Sequence, residues 1–385
     1  MSFQINVCLV RKQACTKPNV CPRLSLQRPF AKSVLCHSEK EIRLIFNYFH
    51  KEIGMQVKRQ TMRHACAVVV SALCVWALPS TGFSQTYPSK PIKMIVPFPA
   101  GGTTDIVARI VAQRMSESMG QPVLVDNRGG AGGAIGADLV AKAAPDGYTI
   151  LMHNISFPLS SVAQTLNNRS PFNVDTDFAG VSIAVYVPFV WTAHPSVPAK
   201  DLRELATLLR NNKSLQYNYG STGPGSAMHV LGESFKHDAK IEIEHVPYKG
   251  AAPMKQELLS GRIQVGGDQL SSSLAEIKSG SLKALATTAS KRIPGLPDVP
   301  TVKELGFTGL ELEGWNGVFV PAKTPKDIIE RLHREIVAAV RHPDVTKRLN
   351  ELGADPVGSS PAEQDAILKR QMDQFRAVIR DMKLE

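Results

Sequence analysis

The sequence predicts an α/β fold in which mainly parallel sheets are flanked by helices. Three observations predict it: short apolar runs alternate with helical periods, the runs end in glycine-rich turns, and those turns open helices. The first unit sets the pattern. Ile92 to Val96 is an apolar run of strand length, broken by Pro97, Pro99, Gly101 and Gly102. From Thr103 the residues Ile106, Val107, Ile110, Val111, Met115 and Met119 recur on one helical face, and Gly120 with Pro122 closes the helix. Such a turn presents backbone N–H groups and the positive end of a helix dipole to an anion, and its small residues let a carboxylate approach. Taken alone, it reads equally well as a plain strand-to-helix connection.

The following elements repeat the unit. Residues 123–126 are a strand, and the glycine turn 127–136 opens a helix reaching about Ala144. Asp146-Gly147 turns into a strand at 149–152, and residues 181–193 form one long apolar strand ending at His194-Pro195. A helix at 201–210 carries Leu202, Leu205, Leu208 and Leu209 on one face; a strand at 215–219 then enters the turn 220–225 and a helix with Met228, Leu231 and Phe235. Strands at 241–246, 262–265 and 282–287 alternate with helices at 254–259 and 272–278. Thr324-Pro325 with Asp327, and Ser360-Pro361 with Glu363, each place a cap, a first-turn proline and an acid before a C-terminal helix. Those helices bury Ile328, Ile329, Leu332, Ile336 and Val340, and Leu368, Met372, Phe375 and Ile379.

Charge and cysteine divide the chain at residue 84. Residues 1–84 hold 12 Lys/Arg against 3 Asp/Glu, and residues 85–385 hold 33 against 31. The body is therefore nearly neutral, and no nucleic-acid partner is expected. All six cysteines (Cys8, Cys15, Cys21, Cys36, Cys66, Cys74) precede residue 85, which excludes a thiol nucleophile or cysteine metal site from the body. Lys58, Arg59 and Arg63 lead into an apolar run at 65–78 interrupted only by Ser71, followed by Gly82 and Ser84. This is the pattern of a secretory signal peptide at 55–84, with cleavage near Ser84 and export to the periplasm as the expectation. A signal peptide works from a chain start, so Met55 or Met62 is the expected initiator and residues 1–54 a disordered or mis-assigned extension.

Nucleotide and hydrolytic chemistry find little support. The glycines at 129, 130, 132, 133 and 136 do not fit the i, i+2, i+5 dinucleotide fingerprint, and no Gly-Lys-Ser/Thr follows any turn. There is no G-x-S-x-G or H-E-x-x-H, and the seven body histidines lack metal-ligand spacing. No cofactor and no metal are expected. His153 stands apart because it follows a strand end that faces a cleft.

Five segments, in order, resemble the periplasmic substrate-binding proteins of tripartite tricarboxylate transporters, the Bug family. They are Tyr87-Pro-x-Lys-Pro-Ile with Ile95-Val-Pro-Phe-x-Ala-Gly-Gly-x-x-Asp105; Asp126-Asn-Arg-x-Gly-Ala-Gly-Gly133; Pro145-Asp-Gly-Tyr-Thr149; His245-Val-Pro-Tyr-Lys-Gly-Ala-Ala-Pro253; and Leu296-Pro-Asp-Val-Pro-Thr-Val302. The resemblance implies a two-lobed periplasmic-binding-protein fold (Venus flytrap, type II-like), no enzymatic activity, and capture of a small carboxylate for two membrane permease subunits, the receptor itself being monomeric. A receptor presenting ligand to a sensor kinase, and a small-molecule enzyme on the same fold, are the alternatives.

The resemblance also implies ligand-binding residues. These are Phe98, Ala100, Gly101, Gly102 and Asp105 from the first turn, and Ser221, Thr222, Gly223, Tyr248, Lys249 and Asp268 from the opposite lobe. Lys249 and Asp268 also read as solvated or paired loop charges, and Ser221 and Thr222 as helix caps. Three departures stand out: His153, Asn154 and Ser156 where the family has a small Ser/Thr-rich loop, Gly267 at a commonly aromatic position, and Gly129 in place of a proline. The two glycines open space and His153 adds a titratable ring, so a ligand larger than a simple dicarboxylate, or aromatic, is expected. Lobe one is expected at 87–193 plus 289–385 and lobe two at 194–288. Closure should carry Ser221 and Thr222 toward residues 100–102.

Overall fold

A strand forms at each apolar run that glycine or proline ends, and the strands sort into two sheets. The computed structural model describes residues 87–166 and 170–382; the segments read as an extension and a signal peptide lie outside them. The elements are β1 (Ile92–Val96), α1 (Thr103–Met119), β2 (Val123–Asn127), α2 (Ala134–Ala141), β3 (Thr149–Asn154), α3 (Ser156–Leu166), α4 (Val174–Asp177), β4 (Phe178–Tyr186) and β5 (Phe189–Ala193). Then come α5 (Leu202–Asn211), β6 (Asn218–Ser221), α6 (Ala227–Ala239), β7 (Glu244–Pro247), α7 (Ala251–Leu259), β8 (Val265–Gln269), α8 (Leu274–Lys278) and β9 (Lys283–Thr287). The chain ends with β10 (Trp315–Pro321), α9 (Lys326–Val340), α10 (Pro343–Glu351), β11 (Asp355–Pro356) and α11 (Pro361–Met382).

The first sheet has the order β11-β4-β10-β3-β1-β2 and the second β7-β6-β8-β5-β9. Both are mixed rather than mainly parallel. β1 pairs in parallel with β2 and β3, and β6 with β7 and β8. β10 runs antiparallel to β3 and β4, and β5 to β8 and β9. A parallel neighbour needs a crossover connection within its own sheet. β5 and β10 have none, because the chain enters each directly from the other sheet.

The apolar run at 181–193 is therefore two strands. Pro188 has no N–H to extend a ladder, and the run breaks at Val187-Pro188 into β4 of one sheet and β5 of the other. The first crossing lies there and not at His194-Pro195, which moves residues 189–193 to the second sheet. The second crossing joins β9 to β10, and the two lie side by side: Val187 N–H donates to the Gly314 carbonyl (2.8 Å) and Thr288 N–H to that of Phe189 (3.0 Å). The buried Gln269 side chain donates to the carbonyls of Val187 and Trp315 and accepts from Asn316 Nδ2 at 3.0 Å. The strand expected at 262–265 forms instead at Val265–Gln269. Arg262 N–H closes the end of α7 on the Glu257 carbonyl, while the two glycines that hid the strand, Gly266 and Gly267, pair with Thr192 and Trp191.

Helices cover both faces of the first sheet. Ile92, Met94 and Val96 pack with Val107, Val111 and Met115 of α1 and with Leu332 and Ile336 of α9. Ile95, between them in sequence, joins Phe157 of α3 and Leu368, Met372 and Phe375 of α11. That alternation is the period of two expected of a strand. The Ser360–Glu363 capping box forms as read, with Glu363 N–H on Ser360 Oγ (3.2 Å) and Ser360 N–H on Glu363 Oε2 (2.8 Å). Thr324 does not cap α9. Its hydroxyl turns back to the Pro321 carbonyl at 2.7 Å, and α9 begins without a side-chain cap.

Candidate ligand-binding cleft

The glycine turns of the two sheets meet. A Cβ at Gly132, which has φ +65°, would stand 2.7 Å from the Pro224 carbonyl oxygen, and one at Gly223 would stand 3.5 Å from Gly132 Cα. Only a turn without side chains allows that approach. Beside it the two sheets enclose a cleft of about 260 Å³, lined by Phe98, residues 130–133, residues 222–224, and Pro247, Tyr248 and Lys249. Its polar side chains are Thr222, Tyr248 and Lys249; no carboxylate lines it.

Phe98, Thr222, Gly223, Tyr248 and Lys249 thus lie where the sequence places a ligand. Residues 100–102 do not line the cleft. They pack on the start of α7, with Gly101 and Gly102 facing Ala252 and Ala251 at 3.8 and 3.6 Å from where a Cβ would stand. The expected pairing across the cleft is therefore exchanged: 222–224 meets 130–133, and 251–252 meets 101–102. The lining at 130–133, Pro224 and Pro247 is not among the residues that the resemblance implies, although all of it falls within the glycine turns and the segment 245–253.

Asp105 builds the first turn and does not line this cleft. It is buried, accepts from Gly101 N–H (3.0 Å) and Asn127 Nδ2 (3.0 Å), and pairs with Arg109 (2.9 Å). Burial pushes its carboxyl up, but Arg109, the Gly101 amide and Asn127 outweigh that and hold it below the usual carboxylate range. Asp268 is also buried. Burial lifts its carboxyl to about 6, against the Gln269 amide, the Ser272 hydroxyl, the Thr103 amide and Lys255. The start of α1 is thus already served by two of the protein's own carboxylates.

Beneath the cleft lie His153, Asn154 and Ser156. His153 stacks on Phe157 (4.8 Å) and meets Phe98 edge-on (5.2 Å), and its Nδ1 accepts from Asn154 N–H at 2.8 Å. That bond puts the ring proton on Nε2, which has no partner among the described residues and lies against Gly133. Burial holds the ring neutral, with its pKa down at about 3. Asn154 bonds the Thr104 hydroxyl and accepts from Ser156 N–H. Ser156 Oγ reaches the second sheet, accepting from Ala227 N–H at the start of α6 (3.1 Å). Ser221 is buried behind its turn, 2.7 Å from His245 Nε2.

The space that the expectation of a larger or aromatic ligand relied on is not found at the two glycines. A Cβ at Gly267 would stand 2.4 Å from the Val190 carbonyl and one at Gly129 3.0 Å from Pro99 Cδ, so neither glycine opens space. His153 lies under the cleft lining rather than in it.

Residues 107–384 match the family model described as tripartite tricarboxylate transporter family receptor. The chain belongs to this family. As a family receptor it is a solute-binding protein and not an enzyme. It is 36% identical over 298 residues to Protein BugT of Bordetella pertussis, covering 77% of this chain and 91% of BugT. It is also similar to the structure of the periplasmic binding protein BugD, with 34% identity, a TM-score of 0.73, and coverage of 78% of this chain and 99% of that one. MatC (Rpa3494) from Rhodopseudomonas palustris with bound malate is 30% identical, with a TM-score of 0.71 and coverage of 76% and 100%. The receptor has the two-lobed periplasmic-binding-protein fold, with one mixed sheet in each half.

Proposed function

We propose that this receptor works in the periplasm, closing two lobes on a small carboxylate and handing it to the membrane permease of a tripartite transporter. The observation that carries the reading is the 260 Å³ cleft, whose lining includes one lysine and no carboxylate. Such a lining favours an anion, and the volume lies below the roughly 300–1,000 Å³ of sites for drug-sized ligands. Malate in the related MatC is of the class that fits. Lobe one comprises the first sheet and its helices, lobe two the second sheet, and the crossings at Val187-Pro188 and between β9 and β10 are the hinge. Phe98, residues 130–133, Thr222, Gly223, Tyr248 and Lys249 touch the ligand. Asp105, Asn154, Ser156, Ser221 and Asp268 shape the walls, and residues 100–102 seat the closed form against α7.

Calorimetric titration of the exported protein with mono-, di- and tricarboxylates tests this. A dicarboxylate of malate size should bind with micromolar or tighter affinity, and uptake into vesicles bearing the permease should require the receptor. Binding only of neutral or cationic solutes would refute the reading.

A further inference from the structure

The turn that lines one side of the cleft is held from behind at both of its ends by a pair of histidines. His245 of β7 and His229 of α6 are stacked, ring centroids 4.0 Å apart and planes 11° from parallel. Tyr219 of β6 also stacks on His245, at 4.9 Å. His245 Nε2 lies 2.7 Å from Ser221 Oγ, where the turn begins. His229 Nδ1 accepts from Gly225 N–H at 3.0 Å, where it ends. Between those anchors are Thr222, Gly223 and Pro224, all of which line the cleft. Ser221 Oγ also accepts from Gly223 N–H at 3.2 Å, passing the hold of His245 to the middle of the turn.

We propose that His229 and His245 are positioning residues that set this turn for ligand, and that protonating the pair releases it and weakens binding. The inference rests on the reading of residues 222–224 as part of the ligand site. Its chemistry follows from the tautomers. As an acceptor, Nδ1 of His229 carries no proton, so protonating it sets two donors against each other at Gly225. A protonated His245 can only donate to Ser221 Oγ, and its charge then faces the stacked ring of its partner. The other groups that face the pair are Glu233 and Lys236 of α6 and Tyr219 of β6. Glu233 accepts from the Tyr219 hydroxyl (2.7 Å) and from Lys236 (2.8 Å), which leaves its charge largely matched. Burial lowers both histidines, and His229 together with Lys236 lowers His245 further, to about 4. At neutral pH the pair is uncharged and the turn is held.

The test follows the Gly223 and Gly225 amide resonances of the exported protein from about pH 3.5 to 8, with L-malate affinity measured on the same samples. In the wild-type protein both amides should shift with a shared acid midpoint, and affinity should fall by about tenfold across it. His229→Asn keeps an acceptor, Oδ1, where Nδ1 stands, and should bind normally at neutral pH with the acid loss reduced to about twofold or less. Comparing the two cancels protonation of malate itself. His229→Leu should speed exchange of the Gly225 amide at every pH. Unchanged Gly225 exchange in His229→Leu, or an acid titration of both amides that persists in His229→Asn and in His245→Gln, would overturn the proposal. Amides that titrate as described in a protein that takes up no carboxylate would leave the pair's role standing and remove the function assigned above. Malate binding with the same acid profile in wild type and His229→Asn would do the reverse.

Discussion

The hydroxyl of Ser156, at the start of α3, accepts a hydrogen bond from the Ala227 amide, at the start of α6, across the cleft at 3.1 Å. One partner belongs to the helices of the first sheet and the other to those of the second. The bond thus ties the two halves together in this structure. Ser156→Ala should leave the unfolding temperature nearly unchanged and weaken ligand binding by about 2- to 10-fold, the worth of one neutral hydrogen bond. The loss should appear as faster ligand release. A variant with wild-type release kinetics would show that closure does not use this contact.

Gly132→Ala tests the close approach of the turns. Its Cβ would stand 2.7 Å from the Pro224 carbonyl oxygen, at φ +65°. Gly120→Ala supplies the control, since Gly120 has the same φ of +65° with nothing within 4 Å. Both should cost about 1 kcal/mol of stability through the left-handed backbone. Only Gly132→Ala should lose about tenfold or more in affinity, with a more open form in small-angle scattering.

Lys249 is the charged side chain of the cleft lining. Because it is exposed, Lys249→Gln should cost only about 2- to 5-fold in affinity for a dianion, and less as salt rises. Calorimetry at two salt concentrations checks this. Equal losses for a dicarboxylate and a neutral analogue would assign Lys249 a role other than charge.

His153 gives a stability test with a definite sign. The native chain holds it near 3, while an unfolded chain takes up the proton near the ordinary value of about 6.5. Between those values the unfolded state binds more protons, so stability is present above the upper one and is lost as pH falls toward the lower. His153→Phe keeps the stack on Phe157 and removes the titration. The slope of unfolding free energy between about pH 4 and 6 should be smaller in the variant by about 1.4 kcal/mol per pH unit. The slope decides, because losing the acceptor for Asn154 N–H lowers absolute stability as well.

The α/β class, the positions of most elements and the gathering of glycine turns were legible because periodicity and turn chemistry are local. Register and partner were not. Pro188 marks a break in the apolar run but not that its two pieces join different sheets, and Gly266 and Gly267 conceal a strand whose place is set by Trp191 and Thr192. At the site, Phe98, Thr222 and Lys249 could be picked out by motif. The inward turn of Asp105 and Asp268 could not, because their partners Asn127 and Thr103 lie on other elements or at another strand's end.

The insertion of β5 to β9 between β4 and β10 has a consequence for how the polypeptide comes together. β3 and β4 lie on either side of β10 and, until that late segment is made, each presents an unpaired edge. The second sheet, built entirely from β5 to β9, needs nothing made later, whereas the first cannot close before β10, and contacts so distant along the backbone form slowly. The first half therefore stays incomplete until nearly the full length of chain is available, while the half inserted into it can already have formed.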